Sequence, residues 1–312
     1  MSPRVVALSG GIGGAKLALG LQSVLTPGEL TVTCNTGDDF DHLGLTVCPD
    51  IDTVLYTLAG LSNREFGWGR QGETWTFMAA LEALGGETWF RLGDGDLATH
   101  VERTRRLAAG EDLTAITRSF ARSLGIHTTI LPMCNTPVRT IVHTRDGPMA
   151  FQRYFVEQQC APEVTGFDFE GASAAVVPDA VREALSSPAL ETIVICPSNP
   201  LISIDPILSV PGMRDALHDA GVPIVAVSPI IAGQAVKGPT AKMMTELGLP
   251  TTSTAIADHY GDLLDGLVID QVDAAEAAVI SPPCLVTPTL MTTDADKEAL
   301  ARQVLEFAAR LS

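Results

Sequence analysis

The chain has 312 residues, of which 46% are hydrophobic and 18% charged, and its formal net charge is −17. This composition is that of an ordinary globular protein, and the length suits one large domain or a core with an insertion. The negative charge repels nucleic-acid phosphates, so we expect no nucleic-acid partner. A small anionic ligand is still compatible with it, because a pocket can be locally positive in an acidic protein.

Several other classes of protein lack support in the sequence. The N-terminus has no charged and apolar regions of a signal peptide, and no apolar stretch approaches the ~20 residues that span a bilayer. The six cysteines form no C-x-x-C pair, a pattern that favours reduced thiols in a cytoplasmic protein. Neither an H-E-x-x-H nor a G-x-S-x-G motif occurs. We therefore expect no membrane segment, zinc protease site or serine-hydrolase site.

The first β–α unit carries the most informative motif. The apolar run Val5–Leu8 predicts a strand, and a helix is predicted from about Lys16 to Val24. Between them lies Ser-Gly-Gly-Ile-Gly-Gly-Ala-Lys. A strand that turns at glycines into a helix directs backbone N–H groups and the positive helix end at a small anion. The motif predicts a phosphate-bearing ligand, although a plain strand–helix turn with an exposed lysine is the alternative.

The glycine motif differs from two common phosphate loops. It lacks the Walker spacing, and Lys16 stands where G-x-G-x-x-G requires its third glycine. An NAD-dependent oxidoreductase is therefore a weak interpretation.

The rest of the chain predicts an α/β protein. It is a Rossmann-like, doubly wound, mainly parallel sheet with a smaller antiparallel β-rich insertion. The expected divisions are 1–126 and 188–312 for the core and 127–187 for the insertion. The elements predicted in chain order are a strand at Leu30–Cys34, helices from Pro49 and over Glu73–Leu84, Asp96–Ala109 and Leu113–Leu124, a hairpin of Val138–His143 with Met149–Phe155, a helix from Pro178, strands at Thr192–Cys196, Pro223–Val227 and Leu267–Ile269, and a closing helix at Asp294–Leu311.

Two acidic loops are candidates for metal or hydroxyl binding. Asp38 follows the second strand, where a carboxylate is suited either to bind Mg²⁺ or to hydrogen-bond a ribose. Asp41 is expected in a solvated turn. Asp50 and Asp52 lie at the start of a predicted helix, where acids cap the helix and complement its dipole. For Asp52 capping is favoured. For Asp50 it competes evenly with metal ligation or with holding a substrate hydroxyl.

Basic side chains supply candidate anion contacts. Arg91 precedes a Gly-Asp-Gly turn that leads into a helix. Its guanidinium is suited to bind a phosphate or to stack on a planar ring. Asp94 or Asp96 in that turn is alternatively a helix cap. Lys237 follows a later strand, and a surface turn is an equally good interpretation. Three arginines are expected on a solvated helix face: Arg103, Arg105 and Arg106.

Together and in order, several segments resemble one family, the 2-phospho-L-lactate or phosphoenolpyruvate transferases of coenzyme F-420 biosynthesis. The resemblance covers nearly the whole chain. The segments that carry it are Ser9–Lys16, Asn35–Asp39, Pro49–Thr53, Leu92–His100, Leu131–Met133, Pro197–Pro200, Ser228–Ile231, Gly238–Pro239 and Leu290–Thr292.

The resemblance implies a Rossmann-like core with an inserted domain, and an Mg²⁺-dependent reaction. A guanosine-diphospho-activated 2-phospholactate or enolpyruvate is joined to the deazaflavin Fo, GMP is released, and (dehydro) coenzyme F-420-0 is formed. A cytoplasmic homodimer is also implied. By motif position Asp50 and Arg91 contact the deazaflavin. The residues expected to hold the guanosine-linked donor are Gly10, Gly11, Gly13, Gly14, Asn35, Ser198 and Asn199.

We assign hypothetical roles to the charged groups on this basis. Asp38 and Asp50 position Mg²⁺ or the acceptor hydroxyl, while Lys16 and Arg91 neutralise phosphate or orient the ring. At the glycine turn this chain departs from the family, because archaeal relatives tend to read Gly-Gly-Thr-Gly-Thr-Pro-Lys. The acid carried by the donor is therefore left open among phospholactyl, enolpyruvyl and glyceryl groups. A related class of non-catalytic nucleotide-sugar-binding regulatory factors, the gluconeogenesis factors, opens with a similar turn and is the alternative.

Overall fold

A seven-stranded parallel sheet forms the centre of the molecule in the computed structural model, which describes residues 4–63 and 67–311. Its strand order is β14-β13-β10-β9-β1-β2-β5, and all neighbouring pairs are parallel. The predicted doubly wound α/β class is confirmed. The strands of this sheet are β1 (Val5–Ser9), β2 (Leu30–Cys34), β5 (Thr129–Pro132), β9 (Thr192–Ile195), β10 (Ile224–Val227), β13 (Gly266–Ile269) and β14 (Cys284–Val286).

The chain direction across the sheet reverses at β1. From β1 the chain adds β2 and β5 on one side, and it then returns to place β9, β10, β13 and β14 on the other. Loops that leave β1 and β9 therefore diverge and open a crevice beyond the carboxyl ends of these strands. Ligands of open α/β sheets bind at such a switch point.

Both faces of the sheet are covered. Val6 and Leu8 of β1 belong to one buried cluster, whereas Val5 and Ala7 belong to the cluster on the opposite face. Because side chains alternate along a strand, a strand buried on both sides needs apolar residues at every position. The run Val-Val-Ala-Leu meets that requirement.

Helices connect the strands. The first, α1, begins at Gly11 rather than near Lys16, so the glycine motif is itself the first helical turn. The helices are α1 (Gly11–Val24), α2 (Pro49–Leu58), α3 (Thr76–Ala83), α4 (Asp94–Ala108), α5 (Leu113–Ser123), α6 (Asp179–Leu185), α7 (Asp205–Leu208), α8 (Met213–Asp219), α9 (Thr240–Glu246), α10 (Ser253–Tyr260) and α11 (Asp294–Ala308). No described helix is both long and apolar enough to cross a membrane.

Helix α3 is shorter than predicted, because the residues just before it cap the start of its neighbour α4. The Glu73 carboxylate accepts hydrogen bonds from the N–H groups of Gly95 and Asp96, in the first turn of α4. Asp94, in return, accepts from the N–H groups of Thr76 and Phe77 at the start of α3. Each helix thus has its free N–H groups capped by the other's flanking acid.

The insertion contains a three-stranded antiparallel sheet, in the order β7-β6-β8. The hairpin of β6 (Arg139–Thr144) and β7 (Gly147–Ala150) is confirmed, and β8 (Val164–Glu170) pairs with β6. The predicted strand to Phe155 is wrong beyond Ala150, because residues Arg153–Glu157 form a π-helix. Strand β5 belongs to the central sheet although it lies within 127–187, and the division at 126 and 187 stays a prediction.

Two short hairpins complete the structure. Strands β3 (Phe40–His42) and β4 (Leu45–Val47) form one, and β11 (Ile230–Ile231) and β12 (Gln234–Ala235) form the other.

Candidate functional site

One large cavity lies at the switch point of the sheet, with a volume of about 760 Å³. Its walls come from the loops after β1, β2, β9 and β10, from the residues just before α4, and from the π-helix of the insertion. The sequence-predicted residues that line it are Gly10, Gly11, Gly13, Lys16, Asp38, Asp50, Arg91, Ser198 and Asn199. Residues from both halves of the chain therefore meet in one space.

The glycine turn is packed against protein on one side. A Cβ on Gly13 would lie 2.2 Å from the Pro197 carbonyl oxygen, and one on Gly14 would lie 2.4 Å from Ser9 Oγ. Gly11 has φ +65, which favours glycine. Gly14 is buried and does not line the cavity. These glycines therefore permit the close approach of α1 to the loop after β9.

The Asp50 carboxylate occupies the positive end of α1. It is buried, and its Oδ1 accepts a hydrogen bond from Gly11 N–H at 2.7 Å. Its Oδ2 accepts one from Asn35 Nδ2 at 2.9 Å. Burial raises the pKa of Asp50 to about 6, while these two hydrogen bonds act to lower it. Cys48, not Asp50, is the N-cap residue of α2. Asp50 thus serves α1 rather than its own helix.

Asn35 lies behind the cavity wall. It is fully buried and is not part of the lining. Its Nδ2 also donates to the Ile202 carbonyl at 3.2 Å, and its Oδ1 accepts from Gly37 N–H at 2.7 Å. In this structure Asn35 contacts Asp50 instead of the cavity.

Asp38 and Asp50 are the two carboxylates that line the cavity among residues 4–63 and 67–311. Burial raises the pKa of Asp38 well above its ordinary value, and the neighbouring Asp50 charge raises it further. Asp38 Oδ1 is buried without a hydrogen-bond partner. An orphaned carboxylate oxygen beside a second carboxylate fits a hard divalent cation such as Mg²⁺.

Within the described part of the chain, three cationic side chains reach the same cavity. Lys16 Nζ donates to the Met291 carbonyl at 2.8 Å, and its pKa is lowered by partial burial and by the charges of Lys237 and Lys297. Lys237 and Arg91 also line the cavity, and the Arg91 guanidinium lies 4.2 Å from the centre of the Trp75 ring. These cations share the cavity with the Asp38 and Asp50 carboxylates.

An aromatic wall was missed by the sequence analysis. Phe151 and Phe155 are stacked with ring centres 5.3 Å apart, and Trp89 lies 5.7 Å from Phe90. Trp68 also lines the cavity and is 53% exposed. These residues come from three separate segments, so no local pattern brings them together. The wall offers apolar surface to a planar ring.

A buried charge network lies beneath the site, and it corrects two predictions. Arg103, expected on a solvated face, is 1% exposed and forms a two-pronged ion pair with Asp52. Asp52 is therefore an ion-pair partner rather than only a capping residue. His100 Nδ1 lies 3.3 Å from Arg103, and its Nε2 lies 3.3 Å from Asp96. The network fixes α4 against α2, and both Asp52 oxygens are used by Arg103.

Asp41 and Arg105 are exposed as predicted, but the prediction is wrong for Arg106, whose side chain is only 15% exposed because it lies over the Phe120 ring. Asp41 is exposed on the hairpin of β3 and β4 and accepts from Thr46 Oγ1. Arg105 is exposed and pairs with Glu102, and Arg106 pairs with Glu111.

The fold and the cavity define a Rossmann-like α/β protein with a ligand site at the switch point of its sheet. The family model described as 2-phospho-L-lactate transferase CofD matches residues 5–306. The chain is 43% identical over 316 residues to a phosphoenolpyruvate transferase of Streptomyces griseus, with 98% of each protein covered. It is 39% identical over 305 residues to a 2-phospho-L-lactate transferase of Methanosarcina mazei, covering 97% of this chain and 99% of that one. The chain belongs to this transferase family.

A solved structure has the same fold. It is that of a UPF0052 family member from Bacillus halodurans, with a TM-score of 0.66 and 16% identity, and it covers 98% of this chain and 99% of that one. At this identity the likeness concerns the fold alone.

The Arg103–Asp52 pair is expected to be important for stability. Arg103→Leu leaves a buried carboxylate without its partner, which costs about 3–5 kcal/mol. Urea unfolding measures this difference. Arg105→Leu, at an exposed position of the same helix, is the control and is expected to change stability by less than about 0.5 kcal/mol. Equal effects of the two substitutions would contradict the importance of the buried pair.

Asp39 is expected to give the fold a pH dependence. Burial raises its pKa to about 8, compared with about 3.9 in an unfolded chain. Between these values the carboxyl is neutral when folded and charged when unfolded, so rising pH destabilises the fold. Asp39→Asn removes this contribution, and its stability relative to the wild type should rise from about pH 5 to about pH 8.

Chemical denaturation at the two pH values measures the difference. Asp41→Asn, at an exposed carboxyl on the same segment, is the matched control. A stability difference between Asp39→Asn and the wild type that is constant with pH would contradict a neutral Asp39 in the folded protein.

Proposed function

We propose that the protein transfers a 2-phospholactyl or enolpyruvyl phosphate group from a guanosine-diphospho-activated donor to the deazaflavin Fo. GMP is the leaving group, and the product is coenzyme F-420-0 or its dehydro form. The observation that carries the proposal is the convergence of the glycine turn, Asp38 and Asp50 on one cavity at the switch point. The names of the relatives support the transferred group. The donor nucleotide and the acceptor follow from the motif resemblance.

The cavity provides separate surfaces for the two substrates. The first turn of α1, with Lys16 and Lys237 nearby, suits a diphosphate, because backbone N–H groups and cations neutralise its charge. The aromatic wall with Arg91 suits the tricyclic ring of a deazaflavin. Asp50 contacts the first turn of α1 and lines the same cavity, and we assign the meeting of the acceptor hydroxyl with the donor phosphorus to its neighbourhood.

The reaction is a displacement at phosphorus. The acceptor oxygen forms a bond to the phosphorus that bears the acid, and the bond from this phosphorus to the GMP oxygen breaks. We assign to Asp50 the role of general base. Its carboxylate accepts a hydrogen bond from the acceptor hydroxyl and then takes the proton of that hydroxyl. Alignment and charge neutralisation supply most of the catalysis in such transfers. Asp38 and Asp50 are the residues that would hold Mg²⁺, which when bound neutralises charge on the phosphates.

The assay that tests the function measures GMP release and identifies the product by mass spectrometry, with Fo and each of the three guanosine-activated acids. Tight nucleotide binding without GMP release from any donor would favour the regulatory-factor class. A homodimer and a cytoplasmic location are part of the proposal, and light scattering and cell fractionation test them.

Asp50→Asn is expected to lower the turnover number by about 10²-fold or more, because the acceptor hydroxyl loses its base. Steady-state GMP release measures the loss, and thermal unfolding shows that the fold persists. The exposed Asp41→Asn variant should keep wild-type turnover. Near-normal turnover of Asp50→Asn would refute the assigned role.

Removal of divalent ions by EDTA is expected to abolish GMP release, and added Mg²⁺ should restore it. Asp38→Asn should raise the Mg²⁺ concentration that gives half-maximal rate by about 10-fold or more. Full activity after chelation would show that the carboxylate pair does not act through a metal.

A further inference from the structure

The π-helix Pro200–Ile204 follows β9 and brings a serine close to Asp50. Its N-cap residue Asn199 accepts a hydrogen bond from Leu201 N–H through Oδ1, and the Asn199 carbonyl accepts from Ser203 N–H at 3.0 Å. The Ile202 carbonyl is held by Asn35 Nδ2, the same amide that donates to Asp50. Short π-helical segments are rare and occur frequently at functional sites. The amide of Asn35 thus ties the segment that carries Ser203 to the Asp50 carboxylate.

The position of Ser203 is defined by Gly10. A Cβ placed on Gly10 would lie 2.5 Å from Ser203 Cβ, 3.0 Å from Ser203 Oγ and 2.9 Å from Asp50 Oδ2. The hydroxyl and the carboxylate oxygen therefore both lie within about 3 Å of that Cβ position, and within about 6 Å of each other. Any larger residue at position 10 would displace one of them.

Among the residues that the structure describes, the Ser203 hydroxyl has no hydrogen-bond partner. The side chain is 5% exposed and lines the cavity, and Ser203 Oγ makes no hydrogen bond to any residue in 4–63 or 67–311. By contrast, Ser198 Oγ accepts from Gly10 N–H at 3.2 Å, and Ser228 Oγ shares a hydrogen bond with Ser253 at 2.8 Å. Because Ser203 lines the cavity, its hydroxyl is free to hydrogen-bond a group that occupies this space. A polar atom of a ligand in the cavity is the partner that this hydroxyl is placed to meet.

We propose that Ser203 is a catalytic residue of the transfer, with its hydroxyl donating a hydrogen bond to a non-bridging oxygen of the phosphoryl group that moves. This inference rests on the proposed function. In the transition state negative charge spreads over these oxygens, close to the Asp50 carboxylate. An uncharged donor aimed at that charge stabilises it most when it is already positioned. No bond to Ser203 forms or breaks, and its proton stays on Oγ.

The test is Ser203→Ala in the GMP-release assay. We expect the turnover number to fall about 10²-fold while the KM of each substrate stays within about threefold, because the hydrogen bond strengthens only in the transition state. Ser209→Ala is the matched control, since Ser209 Oγ donates to the Pro206 carbonyl at 2.7 Å outside the cavity lining. It should keep wild-type kinetics.

A second variant separates the hydrogen bond from packing. Ser203→Cys preserves the shape but is a weak donor, and it should lose nearly as much turnover as the alanine variant. If Ser203→Ala fails to fold, as thermal unfolding would show, the cysteine variant decides the matter.

Two results would overturn the inference while leaving the proposed function intact. One is that the turnover number of Ser203→Ala stays within threefold of the wild-type value. If the alanine variant does not fold, the same criterion applies to the cysteine variant. The other is a change confined to KM, which would make Ser203 an ordinary binding residue. Absence of GMP release from the wild type with every donor would instead remove the proposed function, and the role of Ser203 with it.

Discussion

The site is organised by one contact, the hydrogen bond between the Asp50 carboxylate and the first N–H group of α1. The positive end of a helix normally attracts an external anion, but here an internal carboxylate takes part of that position. Asn35 holds the other oxygen of Asp50 and links it to the loop after β9. Three loops from two halves of the chain are thereby fixed relative to one another. A phosphate bound at this helix end, as we propose, would share it with a fixed negative charge.

That arrangement explains why cations accumulate around the cavity. Two buried carboxylates and a phosphate ligand would repel one another strongly in a space of low dielectric. Lys16, Lys237 and Arg91 line the same space and offset that repulsion. The partial burial of Lys16 lowers its pKa, which shows that this charge is held there at some cost. The net charge of the chain therefore says little about the chemistry of its site.

The sequence predicts the fold well because its signals there are local. An unbroken apolar run such as Val5–Leu8 marks a buried parallel strand, and the capping box of Thr293 and Asp296 marks the start of α11. The three-residue strand β14 is too short to leave a pattern. Helix α1 begins earlier than predicted, because a glycine-rich first turn is stabilised by Asp50 from elsewhere in the chain and by close packing rather than by propensity.

The site is predicted in part, for a related reason. The glycine turn, Asp38, Asp50 and Arg91 could be found because each lies close to a strand end or a helix start that the sequence marks locally. Ser203 and the aromatic wall depend on distant segments meeting, which no local spacing reveals. Arg103 lies two residues from the exposed Arg105 on its helix, and only its pairing with Asp52 distinguishes it from that neighbour. Buried charges of this kind follow from tertiary contacts.

The pairing of β1 with β9 has a consequence for biosynthesis. Gly10 and Ser198 touch although 188 residues separate them in the chain. When a ribosome has delivered the first half of the protein, β1 has β2 beside it but its other edge is bare, since β9 has not yet emerged. An uncovered edge strand invites pairing with other chains. The crevice can therefore close only after β9 has been synthesised.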